Sequence, residues 1–122
     1  MVSDVIAYNI KTYTAELQIP PLYLVGDATS AGWDNANGLP IEWDKDNSVY
    51  SVITDFGDGI MKVLEVSGQW APQWGDDGTT SGILLYRPDE DTTDPDGIPS
   101  PGTGSYKWTV DIVNLTYTFV AQ

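Results

Sequence analysis

The stretch "SYKWTVDI" (105–112) alternates strictly: Tyr106, Trp108, Val110 and Ile112 fall on one side, Lys107, Thr109 and Asp111 on the other. Successive side chains of a strand point to opposite faces, so this pattern predicts a half-buried β-strand and is incompatible with a helix. The run "LTYTFV" (115–120) repeats it with Leu115, Tyr117 and Phe119 inward, and "IVN" between the two reads as a hairpin turn. Further strands are expected over 6–17, 21–26, 48–54, 59–66 and 82–87, separated by clusters of Gly, Asp, Asn and Pro. "DFGD" joins two of them compactly, with a tight turn at Asp58–Gly59. About seven short strands with no helical period predict an antiparallel β-sandwich of immunoglobulin-like kind.

Size and charge narrow the functions such a sandwich can carry. At 122 residues the chain suits one domain over 20–122, with 1–19 a linker or first strand leading in. Five basic against 18 acidic residues give a net charge of −13, which repels nucleic acid and anionic membranes. Without cysteine there is neither a disulfide nor a thiolate metal site, and without histidine the commonest general base and transition-metal ligand are gone. No apolar run approaches the roughly 20 residues of a membrane-spanning helix, and "MVSDVIAYNI" lacks the order of a signal peptide.

Two long stretches interrupt the strands: "GDATSAGWDNANGLP" (26–40) and the acidic, proline-rich "RPDEDTTDPDGIPSPGTG" (87–104). Loops of this length in a compact domain usually carry function or move. The acidic run 88–97 lacks the alternating ligands and terminal glutamate of an EF-hand and reads as a solvated loop with no metal. A third stretch, "GQWAPQWGDDG" (68–78), reads as a loop bearing Trp70 and Trp74, because Pro72 biases Ala71 away from helix. Indoles on loops are available as flat apolar plates with polar edges, which is what a pyranose ring needs beneath it.

The succession "LYLVGDATSAGWDNANGLPI", "MKVLEVSGQWAPQWGDDGTT" and "GSYKWTVDIVNLTYTF" resembles the carbohydrate-binding domains of the SusE/SusF type over residues 20–120. The resemblance implies a starch-binding-module-like sandwich without cofactor or catalysis. It places the chain in an outer-membrane lipoprotein at the bacterial cell surface, anchored through another part of the parent protein. Its implied ligand is an α-glucan, its implied neighbours other glycan-import components, and its implied sugar-binding residues Trp33, Lys62, Trp70 and Trp74. One departure is plain: the family strand often reads Phe-Lys-Phe, and here it reads Met61-Lys62-Val63.

Each candidate has an alternative role. Trp70 or Trp74 can fold back over the sheet, Trp33 can plug the end of the sandwich, and Lys62 can be an ordinary surface lysine. Trp43, in the alternation Leu39, Ile41, Trp43, is expected to pack, and Trp108 belongs to the core. Tyr86 and Arg87, beside the acidic loop, are secondary candidates. Two other functions compete. A glycosidase would need facing carboxyl groups, for which Asp34, Asp76 and Asp77 are available; an immunoglobulin-like spacer or adhesin would leave the loop tryptophans without a role.

Overall fold

The computed structural model describes residues 19–79 and 81–122, so the strand expected over 6–17 lies outside it. Among the described residues the fold is all-β, as expected, with nine strands where about seven were anticipated: β1 (Leu22–Val25), β2 (Leu39–Asp44), β3 (Val49–Phe56), β4 (Ile60–Leu64), β5 (Gln73–Asp76), β6 (Leu84–Arg87), β7 (Ile98–Pro99), β8 (Gly104–Asp111) and β9 (Thr116–Ala121). The strands pair antiparallel in the order β6-β5-β4-β1-β2-β3-β8-β9, with β7 attached to β4. The additional strands are β2, β5 and β7.

One continuous sheet becomes a two-layered sandwich because β2 serves both layers. Its first half pairs with β1 (Leu22↔Ile41, Leu24↔Leu39) and its second half with β3 (Trp43↔Tyr50, Asp44↔Val49). A strand that changes partner partway along is the usual way to build such a corner. The Gly57–Gly59 connection crosses between layers, since β3 pairs with β2 and β8 while β4 pairs with β1, β5 and β7.

The alternation read from the sequence sorts side chains between the layers. Leu22, Leu24, Ile41, Met61, Val63, Trp74 and Leu84 face Tyr50, Phe56, Trp108, Val110 and Tyr117, all buried in one core. Trp108 is fully buried and stacks on Phe119 at 5.7 Å and 16°. Trp43 packs edge-on against Tyr50 with ring centroids 5.0 Å apart, the packing role anticipated for it.

Two hairpin turns share one construction. Asp44 accepts from the Asp46 and Asn47 amides and from Asn47 Nδ2; Asp111 accepts from the Val113 and Asn114 amides and from Asn114 Nδ2. The next residues, Ser48 and Leu115, take left-handed φ of 55° and 58°. An aspartate that holds the next turn of backbone fixes the chain reversal without a glycine. In consequence these hydrogen bonds, led by the Asn47 side chain for Asp44 and by the Asn114 amide for Asp111, hold both carboxyls below the usual aspartate range.

The far edges of the sheet meet in a seam. Ile83 bridges Thr116, Leu84 N–H donates to the Leu115 carbonyl at 2.8 Å, and Tyr117 N–H donates to the Gly82 carbonyl at 2.9 Å. Beside it the Tyr117 hydroxyl donates to Asp76 Oδ1 at 2.8 Å. Burial first, and the Asp76 hydrogen bond second, push the Tyr117 phenol up to about 12.

Candidate functional site

The outer face of the first layer is roofed by loops. Register places Lys62, Leu64, Gln73, Gly75 and Arg87 on this face, because each is offset by one residue from Val63, Trp74 or Tyr86 on the opposite one. Gly75 lies under the acidic loop: a Cβ there would meet the Asp96 carbonyl and the Pro95 ring, and the Asp76 amide donates to that same carbonyl at 2.8 Å. The absence of a side chain lets the loop descend onto the strand.

A groove of about 380 Å³ opens between these roofing loops, lined by Trp33, Lys62, Trp70, Gln73, Arg87, Glu90 and Asp94. Trp33 comes from the 26–38 loop, whose following turn is capped by the Asp34 carboxylate accepting from the Ala36 amide at 3.1 Å. The Trp70 loop is tied to that turn, Gly68 N–H donating to the Asn35 carbonyl at 2.8 Å. The two indoles therefore stand side by side, centroids 6.5 Å apart and planes tilted by 45°, with exposures of 43% and 38%. Both remain open to a ligand.

The floor is polar. Lys62 Nζ donates to Gln73 Oε1 at 3.0 Å, and Gln73 Nε2 donates to the Trp70 carbonyl. Burial, only partly offset by the Asp94 charge, holds the Lys62 ammonium below the usual lysine range. No carboxylate among the described residues lies within ion-pair distance of it.

Arg87 forms the far end of the floor and ties down the acidic loop. Its Nε donates to the Thr92 carbonyl at 2.7 Å, Nη2 to the Glu90 carbonyl at 3.0 Å, and Nη1 lies 2.9 Å from Asp94 Oδ1. The segment expected to be merely solvated is thus a wall anchored on a buried guanidinium. Lys62 and Arg87 balance Glu90 and Asp94, so the groove is locally neutral on a strongly acidic protein.

Of the sequence candidates, Trp33, Lys62 and Trp70 converge here; Trp74 does not. The sequence reads as loop through residue 74, but in the structure the loop ends at Pro72, β5 begins at Gln73, and alternation turns Trp74 inward. It is 5% exposed and lies against Tyr86 at 4.9 Å, so the loop assignment is corrected to a core strand position. Trp74 also lines a second cavity of about 570 Å³, with Tyr23, Tyr50, Glu65 and Ile112.

Gln73 carries no signal in the sequence, and Arg87 stands there only as a secondary candidate. What brings them into the site is strand register, which the sequence does not display: paired as Gln73↔Arg87, with Gln73 also opposite Leu64, they face the same way as Lys62. The aspartates considered for catalysis are engaged in local structure. Asp34 caps its turn, Asp76 accepts from Tyr117 and from the Gly78 amide at 2.9 Å, and Asp77 accepts from the Thr79 amide at 3.0 Å. Within the groove, Glu90 and Asp94 both lie against the Arg87 guanidinium, 3.9 Å from Nη2 and 2.9 Å from Nη1. No helix among the described residues is long and apolar enough to cross a membrane. No protein-family model, curated protein or solved structure matches the chain.

Proposed function

We propose that the groove is a non-catalytic glycan-binding site, and that its ligand is an α-1,4-linked glucan of the starch type. The observation that carries the reading is the exposed Trp33–Trp70 pair, tilted by 45° over a floor that contains Lys62. Successive rings of an α-1,4-glucan turn relative to one another, so a matching site needs plates set at an angle on separate loops. Flat β-1,4 chains favour coplanar aromatics in a row, and the outward residues of β8 and β9, including Lys107, Thr109, Thr116 and Thr118, offer none.

The polar complement suits a neutral sugar. Lys62 has donors beyond its bond to Gln73, and the Glu90 and Asp94 carboxylates supply acceptors. By analogy with bases on aromatic plates, each indole contributes about 1–3 kcal/mol, which gives millimolar to micromolar affinity once association costs are subtracted. Cell-surface retention of starch for uptake, as in SusE/SusF-type proteins, is the role this reading proposes.

Native affinity electrophoresis tests it. Amylopectin or pullulan should retard the protein, whereas hydroxyethylcellulose and xylan should not. Trp70→Ala should weaken retention roughly tenfold, about 1.4 kcal/mol, with little change in melting temperature. Preferential retardation by a β-linked polymer would overturn the specificity. Retardation by none of the panel would favour the spacer reading.

A further inference from the structure

Gln73 is among the most deeply buried polar residues described, at 2% exposure, although it lies on the outer face of its sheet. A primary amide is one of few side chains that accept at one end and donate at the other within a rigid plane. Here both ends are used on groups of the groove: Oε1 receives Lys62 Nζ at 3.0 Å, and Nε2 donates to the Trp70 carbonyl. We infer that Gln73 is the positioning residue of the site, holding the Trp70 plate and the Lys62 ammonium in one fixed relation and controlling ligand affinity through them.

The chemistry of the amide explains why glutamine serves here. Trp70 sits on the 66–72 connection, where a side chain at 38% exposure would otherwise sample several orientations and lose that freedom on binding. Holding its carbonyl from the strand below sets the plate beforehand. Lys62 needs an acceptor that steadies the ammonium without neutralising it. A carboxylate at position 73 would pair with Lys62 and compete with sugar hydroxyls for its protons; the neutral amide orients it and leaves its other donors available. Neither methionine nor leucine could do either.

The link to affinity rests on the glycan reading, so the test includes measurements made without sugar. Gln73→Met removes both hydrogen bonds, whereas Gln73→Glu keeps an acceptor for Lys62 and loses the donor to Trp70. Three quantities are followed: the near-ultraviolet circular-dichroism signal of the Trp33–Trp70 pair, assigned with Trp33→Phe; the Lys62 titration midpoint by NMR of ¹³C-labelled lysine; and retardation by amylopectin. Both variants should lose most of the indole-pair signal and about tenfold in retention. The Lys62 midpoint should rise in Gln73→Glu, where a carboxylate favours the ammonium.

An unchanged indole-pair signal in Gln73→Met, or wild-type retention in both variants, would overturn the inference. If Gln73→Met does not fold, Gln73→Glu decides by the same indole signal, because its carboxylate still satisfies Lys62. Failure of the wild-type protein to bind any polysaccharide would sink the glycan reading. The sugar-free signals would still decide whether Gln73 sets the pair.

Discussion

Replacing Tyr117 with phenylalanine removes one oxygen from the seam and leaves the ring that packs against Trp108 and Phe119 in place. The lost interaction is the 2.8 Å hydrogen bond to Asp76 Oδ1. A hydrogen bond to a charged group contributes about 1.5–3 kcal/mol, and the partner carboxylate is only half-buried, so the lower end applies at pH 8. The pH dependence discriminates more sharply. The phenol is raised from 10.0 in the unfolded chain to about 12 in the fold, so its contribution is complete below pH 10 and is lost as pH rises through 12. Two pK units correspond to at most about 2.7 kcal/mol. Urea unfolding of both proteins from pH 8 to 12 should therefore show a gap of about 1.5–2.5 kcal/mol that closes towards the alkaline end. Tyr50 and Tyr86, whose phenols burial also raises, remain in both proteins and cancel in the difference. A gap that stays constant across the series would refute the argument that the Tyr117 phenol titrates higher in the fold than in the unfolded chain.

Other expectations follow from the site and the core. Lys62→Met should weaken glycan retention while changing stability by less than about 1 kcal/mol, because relief of a buried ammonium opposes the loss of Gln73's partner; titration calorimetry with maltoheptaose and thermal melts measure both. In the wild-type protein, retention should fall on alkaline titration with a midpoint below 10.5, since the folded Lys62 gives up its proton more readily than a free lysine. Trp108→Ala should cost about 3–5 kcal/mol by denaturant titration, as for other buried aromatics. Gly75→Ala should lift the acidic loop off β5, read as faster hydrogen exchange of the Asp76 amide, with a smaller effect on the core amides of β8.

The layers were legible where alternation was clean and the site where chemistry was conspicuous. Trp108 and Val110 announced the core because every second residue of β8 is apolar and the strand runs for eight residues. Strand β7 escaped because two residues show no period, and β5 because its four residues, Gln73 to Asp76, lack the apolar run that marks the equally short β1 and β6 and include a glycine on a face covered by other chain. β2 was partly visible in Leu39, Ile41 and Trp43; the Asp-x-x-Asn turn that follows it, Asp44 to Asn47, is the same signal that ends β8 and would have completed the hairpin. Trp33, Lys62 and Trp70 could be named from composition and resemblance. Gln73 could not, because its role depends on register between β4 and β5, which loop length alone does not determine.

The corner strand and the seam together have a consequence for crowded surroundings. A sheet invites strangers at its borders, where unpaired amides and carbonyls can template another chain. Here β2 carries the backbone ladder around one turn of the sandwich, and the Ile83–Thr116 bridge joins the opposite ends. Among the described residues the strand borders left unpaired include those of β6, β7 and β9, and the end of β6 is occupied by Arg87 and the chain it ties down. Zipper-like growth needs a run of about six free residues. The described edges fall short of that run, β6 having four residues, β7 two, and β9 being bridged at Thr116, so they give a neighbouring copy little to extend.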